Sequence, residues 1–169
     1  MIHLICGPIG AGKTTLAHQL ATQHGAVRFS EDEWLSQLFV PDAPEGLMEQ
    51  STEAIAGWAV SKYPRCRGQI WLLCQQLLPL GIPVVLDGAA ANKAQRDLIR
   101  QKAVDHNVGF QLHYIDADAD TRRTRVMARN VEQGKTWSLD VTPGLFDMME
   151  SFFEPPIGDE LEAAQIIRS

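Results

Sequence analysis

The most constraining stretch of this chain is Gly7-Pro8-Ile9-Gly10-Ala11-Gly12-Lys13-Thr14, which meets G-x-x-x-x-G-K-[ST] at every fixed position. The apolar run Ile2 to Cys6 precedes it, and a helical pattern carrying Leu16, Ala17 and Leu20 follows. Strand, glycine loop and helix start, in that order, is the context in which this spacing has a mechanism. The glycines let the backbone curl so that several N–H groups point into one concavity, and the helix adds the positive end of its dipole. The expected result is a polyphosphate cradle running from Gly7 to Thr14 and on to Thr15. Lys13 would reach the β- and γ-phosphates, and the Thr14 hydroxyl would ligate Mg²⁺. The bland alternative is a tight glycine turn with an exposed lysine.

The rest of the chain alternates short apolar runs with helical patterns. Ala26 to Phe29 reads as a second strand, and Ser30 with Glu33 forms a capping box that starts a helix at Glu31 and runs to Pro41 and Pro44. Residues 45–61 read as helical, and Gln69 to Leu80 as a separate, stronger helix closed by Gly81. Ile82 to Leu86 is an apolar run ending at Asp87, as in a central parallel strand buried on both faces. Asn92 with Gln95 marks another helix start, and Phe110 to Ile115 alternates like a strand. Asp118 can cap an arginine-rich helix, and Thr142-Pro143 suits a helix beginning. Ile166-Ile167 could supply a last strand. Such alternation implies right-handed crossovers and a parallel sheet with helices on both faces, an α/β architecture. At 169 residues, with no internal repeat or linker, residues 1–169 are expected to form one domain.

Composition narrows the classes. Fifteen basic and 21 acidic residues give a net charge of −6, which disfavours a long nucleic-acid track or an acidic membrane surface. Cys6, Cys66 and Cys74 are odd in number and show no CxxC spacing, so they read as reduced, mostly buried thiols rather than a disulfide framework or zinc site. The first apolar run is too short for a signal peptide or membrane span, and a cytoplasmic location is the default. No heptad seam indicates an oligomeric state.

Three further groups could carry chemistry. Asp87, at the end of an apolar strand, stands where a carboxylate would hold Mg²⁺ or its water, although an ordinary loop aspartate fits the same pattern. Asp32 lies in the first turn of the helix after the second strand, beyond the carboxyl ends of the sheet, where it could take a proton from an attacking hydroxyl. The run Glu31-Asp32-Glu33 does not by itself say which acid matters, since acids favour first turns anyway. Arg122, Arg123, Arg125, Arg129 and Lys135 form a basic cluster with only Asp120 and Glu132 as acids between 119 and 135. It could be a lid whose cations neutralise a transferring phosphoryl group, or a solvated helix face. Arg125 and Arg129 share one helical face.

Taken together, Gly7 to Thr14, Asp32 in Ser-Glu-Asp-Glu-Trp, Val84-Val85-Leu86-Asp87 and Arg125-x-x-x-Arg129 make the chain resemble small P-loop kinases of the polynucleotide-kinase, zeta-toxin and chloramphenicol-phosphotransferase type. Thr142 to Phe146 and Phe153 to Pro156 also look like the closing part of predicted kinases of this group. The resemblance covers nearly the whole chain. It implies a three-layer, adenylate-kinase-like P-loop NTPase fold with a five-stranded parallel sheet flanked by helices. It also implies ATP as donor with Mg²⁺, and a hydroxyl acceptor on a small molecule, nucleotide, sugar or peptidoglycan precursor. By matching position, Asp32 would be the general base and Arg125 the principal lid arginine, while Arg129 would assist or stack on adenine. Lys13 would act on the transferring phosphate, and Asp87 would serve the metal. Residues 119–141 would form the lid and 39–70 the acceptor site, where Trp58, Tyr63, Arg65 and Arg67 could line the pocket or be core and solvated residues.

Two departures from the polynucleotide-kinase pattern stand out. Leu35 occupies the position where those enzymes commonly have a basic residue, and Gly88 follows Asp87 without a hydroxyl. Both favour a small acceptor less charged than a nucleic-acid end. A nucleotide-binding or nucleotide-hydrolysing switch with no metabolite acceptor is the competing expectation, as is a toxin-like kinase of a sugar nucleotide. A guanine-reading switch is discouraged, because Asn92-Lys93 continues as Ala94-Gln95.

Overall fold

The structure is a computed structural model that describes residues 1–88, 90–132 and 141–168. Five strands, β1 (Ile2–Cys6), β2 (Val27–Ser30), β3 (Val84–Asp87), β4 (Phe110–Asp116) and β5 (Gln165–Arg168), form one sheet in the order β2-β3-β1-β4-β5. Every neighbouring pair is parallel. Ile5 pairs with Asp87 on one side of β3 and Ser30 pairs with Asp87 on the other, so β1, β2 and β3 deliver their carboxyl ends to one edge. In parallel sheets that edge is where ligands bind.

The helices cover both faces. Helix α1 (Lys13–His24) packs on one face, where Ala17 and Leu20 meet Ile5, Val85 and Ile115. On the other face α3 (Thr52–Leu77) and α4 (Lys93–Asp105) bring Ile70, Cys74 and Ile99 onto Leu4, Phe29, Leu86 and Leu112. Helix α2 (Glu31–Leu38) follows β2 directly. Beyond β4, α5 (Ala119–Glu132) and α6 (Pro143–Ser151) join through Val126, Val141 and Phe146, and the short α7 (Asp159–Glu162) leads into β5. All three cysteines are free and buried.

The capping residues sit where the sequence places them. Ser30 accepts from the Glu33 N–H at 3.3 Å, Asn92 from Gln95 at 2.9 Å, Asp118 from Thr121 at 2.9 Å and Thr142 from Leu145 at 3.2 Å. Each satisfies a backbone donor that the first helical turn leaves over.

The expectation of separate helices over 45–61 and 69–80 is corrected. A 3₁₀ turn at Leu47–Glu49 precedes α3, which then runs unbroken through Pro64 and Gly68. A proline inside a helix costs about 3 kcal/mol. Ile70, on the same helix, and Leu78, just past its end, are both buried and contribute roughly 1.5–3 kcal/mol each, which offsets that cost. The strand expected from Ile82 begins at Val84, and α7 has no counterpart in the sequence reading. No helix among the described residues is long and apolar enough to cross a membrane.

Candidate active site

The glycine loop leaves β1 at Gly7 and ends at Gly12, the residue that caps α1. Gly10 and Gly12 hold φ of 76° and 96°, left-handed conformations that side chains disfavour. Gly10 is also hemmed in, since a Cβ there would stand 2.7 Å from the Arg122 carbonyl oxygen. The Ala11 N–H donates to Pro8 O at 3.3 Å, and the Lys13 ammonium donates to the same oxygen at 2.8 Å. Pro8, Ile9, Thr14 and Thr15 complete the stretch at the start of α1.

Four charged side chains converge on this loop. Loss of water around Lys13 pushes its pKa down, while Asp32 and Asp87 push it up and Arg129 adds to the lowering. Asp87, at the end of β3, is pushed up by burial, and Asp32 nearby adds to that. Lys13, the Thr14 hydroxyl donating to Asp87, and Arg28 all oppose the rise. Arg28 donates to Asp87 Oδ2 at 3.2 Å and also pairs with Glu33.

A hydroxyl and a buried carboxylate in direct contact at the mouth of the loop are hard oxygen donors of the kind that Mg²⁺ takes. Thr14 and Asp87 therefore fit the group. No cluster of three or more His, Cys, Asp or Glu that could form a protein-only metal cage occurs among the described residues.

The side of the site across from the loop is built from α2 and α3. Asp32 Oδ1 accepts from the Tyr63 hydroxyl at 2.7 Å. One residue earlier, Glu31 accepts from Arg67 Nε through both oxygens, at 2.9 and 3.0 Å. The Arg67 guanidinium also lies 5.5 Å from the Tyr63 ring centre. Burial, then Asp32, push the Tyr63 phenol far above its ordinary value. Of the aromatic and basic residues expected over 39–70, Tyr63 and Arg67 thus reach the acids of α2. Arg65, about 200° away from both around the helix, and Trp58, beneath Lys62 at 5.7 Å, do not join that network. Glu31, Arg67, Asp87 and Gly88 also border a cleft whose walls are Phe29, Ile70, Trp71, Leu98 and Ile99.

The arginine cluster divides. Arg122 is 4% exposed and donates to Ile9 O at 3.1 Å, to Ala117 O at 2.9 Å and to Glu150. Arg123 pairs with Asp147. These two are part of the body of the protein and not of a lid, because α6 brings up carboxylates that lie outside the 119–135 window. Arg129 comes close enough to Lys13 to lower its pKa, and its buried Nε has no hydrogen-bond partner. Arg125 is exposed one turn earlier on the same helix. Lys135, and residues 133–140 of the expected lid, lie outside the described residues.

Two supports were absent from the sequence reading. Arg28 bridges Asp87 and Glu33; its only local signal was a cation inside a short apolar strand. Arg96, 1% exposed, donates to both oxygens of Glu160 at 2.8 Å, to Ala90 O at 3.2 Å and to Glu154 O at 2.7 Å, and so ties the chain after Asp87 to the segment before β5.

The profile of the AAA domain family matches residues 2–156. No curated protein matches the chain by sequence. Among solved structures, Kti12 of Chaetomium thermophilum in complex with ADP-AlF3 superposes with a TM-score of 0.68 at 14% identity, covering 99% of this chain and 89% of that one. A sugar kinase from Janibacter gives 0.62 at 16% identity, covering 99% and 84%. The Mycobacterium tuberculosis APS kinase CysC, bound to AMPPNP and APS, gives 0.60 at 14% identity, covering 99% and 87%. The shared arrangement makes this a P-loop kinase-like fold.

Proposed function

We propose, from the premise that this chain belongs to the AAA domain family, that it is an ATP-dependent kinase that phosphorylates a hydroxyl of a small molecule. The observation that carries this reading is the convergence of Lys13, Asp32, Asp87 and Arg129 on one glycine loop. A module that only bound nucleotide would need the first and third of these; a carboxylate held at the acceptor edge is what transfer adds.

The loop N–H groups from Gly7 to Thr15 bind the phosphates, and Lys13 leaves its resting bond to Pro8 O to neutralise the γ-phosphate. Thr14 and Asp87 would hold Mg²⁺, which when bound offsets charge on the β- and γ-oxygens. Asp32 orients the acceptor hydroxyl and takes its proton. Tyr63, fixed on Oδ1, sets the plane of that carboxylate and leaves Oδ2 for the acceptor. Arg129, with Arg125 beside it, stabilises charge on the transferring group. Residues 1–169 act as one cytoplasmic kinase domain, with 39–70 serving the acceptor and the later turns of α5, which carry Arg125 and Arg129, set against the phosphates. The partner is a small metabolite and not a long nucleic acid.

The test is a panel of hydroxyl metabolites and antibiotics incubated with Mg-ATP and read by mass for gain of a phosphoryl group. Acceptor-dependent ADP release with a matching product supports the kinase. Hydrolysis indifferent to every metabolite but stimulated by a protein partner would replace it with the switch reading.

A further inference from the structure

Arg28 is a cation inside a strand of the sheet, and its two terminal nitrogens end on two different carboxylates. Nη1 donates to Asp87 Oδ2 at 3.2 Å, and Nη2 donates to Glu33 Oε1. The side chain is 12% exposed. Strand register explains how it reaches Asp87. Arg28 pairs with Val85 and Ser30 with Asp87, so Arg28 and Asp87 are diagonal neighbours across β2 and β3. Successive side chains of a strand point to opposite faces. Phe29, Val84 and Leu86 pack on the side of α3 and α4, whereas Val85 packs on the side of α1. Arg28 and Asp87 therefore share the α1 face.

Stability does not account for this arrangement. A buried ion pair gains little over apolar side chains of the same volume, because both charges leave water. Asp87 also has other support, since the Thr14 hydroxyl donates to it and Lys13 favours its charged form. What Arg28 adds is direction. The terminal torsion of an aspartate is broad, so a carboxylate held at one point can turn. Thr14 holds it from the glycine loop and Arg28 holds it from β2. A carboxylate offers about four lone-pair sites, so roughly half remain for a cation or its water. Glu33 holds Arg28 in turn, from the first turn of the helix that carries Asp32.

We propose that Arg28 is a positioning residue: braced on Glu33, it fixes the plane of Asp87 and so sets how tightly the Mg²⁺ of the nucleotide is held. The inference rests on the nucleotide and metal part of the proposed function and on no particular acceptor. Removing a group that orients a metal-binding side chain from behind changes metal affinity by about 10–100-fold.

The test uses the full chain and AMPPNP, titrated by calorimetry in Mg²⁺ and in EDTA. Mn²⁺ binding to the AMPPNP complex is followed by electron paramagnetic resonance. Wild type should bind AMPPNP more tightly in Mg²⁺ than in EDTA. Arg28→Met keeps an apolar stem and removes the fork. It should shrink that gain and weaken Mn²⁺ binding by about tenfold or more, with affinity in EDTA within about threefold of wild type. Arg28→Lys keeps the charge but offers one ammonium in place of a planar fork, and should fall between the two. Glu33→Gln, at a side chain 41% exposed, should move the same quantities in the same direction by a smaller factor. With Arg28→Lys it decides the question where Arg28→Met does not fold. A loss of equal size in Mg²⁺ and in EDTA, as a purely structural arginine would give, overturns the inference. Unchanged Mn²⁺ binding in the variants, or a wild type indifferent to Mg²⁺, does the same. Where the variants behave as stated but no acceptor takes a phosphoryl group, the kinase reading falls and the role of Arg28 stands.

Discussion

The two halves of the site are encoded in different ways. The half proposed to hold the phosphates is a contiguous piece of chain, β1, the glycine loop and the start of α1, whose donors are backbone N–H groups. The half proposed to hold the acceptor is assembled from side-chain pairs far apart in sequence: Tyr63 with Asp32, Arg67 with Glu31, Arg28 with Asp87. A site made of main chain can be specified by eight consecutive residues. A site made of side chains meeting across two helices and a sheet has no local signature until the fold brings them together.

That contrast can be broken from either side. Lys13→Ala removes the only side-chain cation supplied by the loop itself and should lower transfer by about 10³-fold or more, with weaker ATP binding by calorimetry. Gly10→Ala should also act on the phosphate half. The new methyl meets the Arg122 carbonyl at a left-handed position, so ATP affinity should fall at least about tenfold while the far-ultraviolet spectrum stays native. On the acceptor side, Tyr63→Phe deletes one hydrogen bond to Asp32 and should lower kcat about tenfold, with ATP affinity unchanged. An equal loss of ATP affinity would show that the halves are not separable.

The smallest effect concerns the floor of the phosphate half. His3 of β1 lies 3.0 Å from His113 of β4 (Nδ1 to Nε2) and stacks on His24 at the end of α1. Burial first, then His24 and His113, hold the His3 pKa down at about 4. The unfolded chain binds that proton near pH 6.5 and the folded chain only near 4. Stability is therefore complete above pH 6.5 and is lost as pH falls toward 4, by roughly 2–3 kcal/mol. Urea midpoints at pH 7.5 and 5 should show the fall, and His3→Gln should reduce it.

Much of the fold was legible because its signals are local. Capping side chains at Ser30, Asn92, Asp118 and Thr142 and the apolar runs ending at Cys6 and Asp87 need only neighbours to be read. Helix α3 was not, because Pro64 and Gly68 are breakers by propensity, and only the burial of its apolar face against the sheet overrules them. The same limit applies to Arg122, which reads as part of a basic patch until α6 supplies Glu150 from 28 residues away. The run Glu31-Asp32-Glu33 does not by itself single out Asp32, which only the resemblance to P-loop kinases points to, and Tyr63 as its partner requires α3 to be continuous.

The division of labour is tested most directly by measuring ATP affinity and phosphoryl transfer side by side in wild type and Asp32→Asn. Asp32 belongs to the acceptor half and touches no phosphate-binding backbone in this account. The substitution should therefore lower transfer to a verified acceptor by about 10²–10⁴-fold and keep ATP affinity within a few-fold. Undiminished transfer in Asp32→Asn would contradict the account.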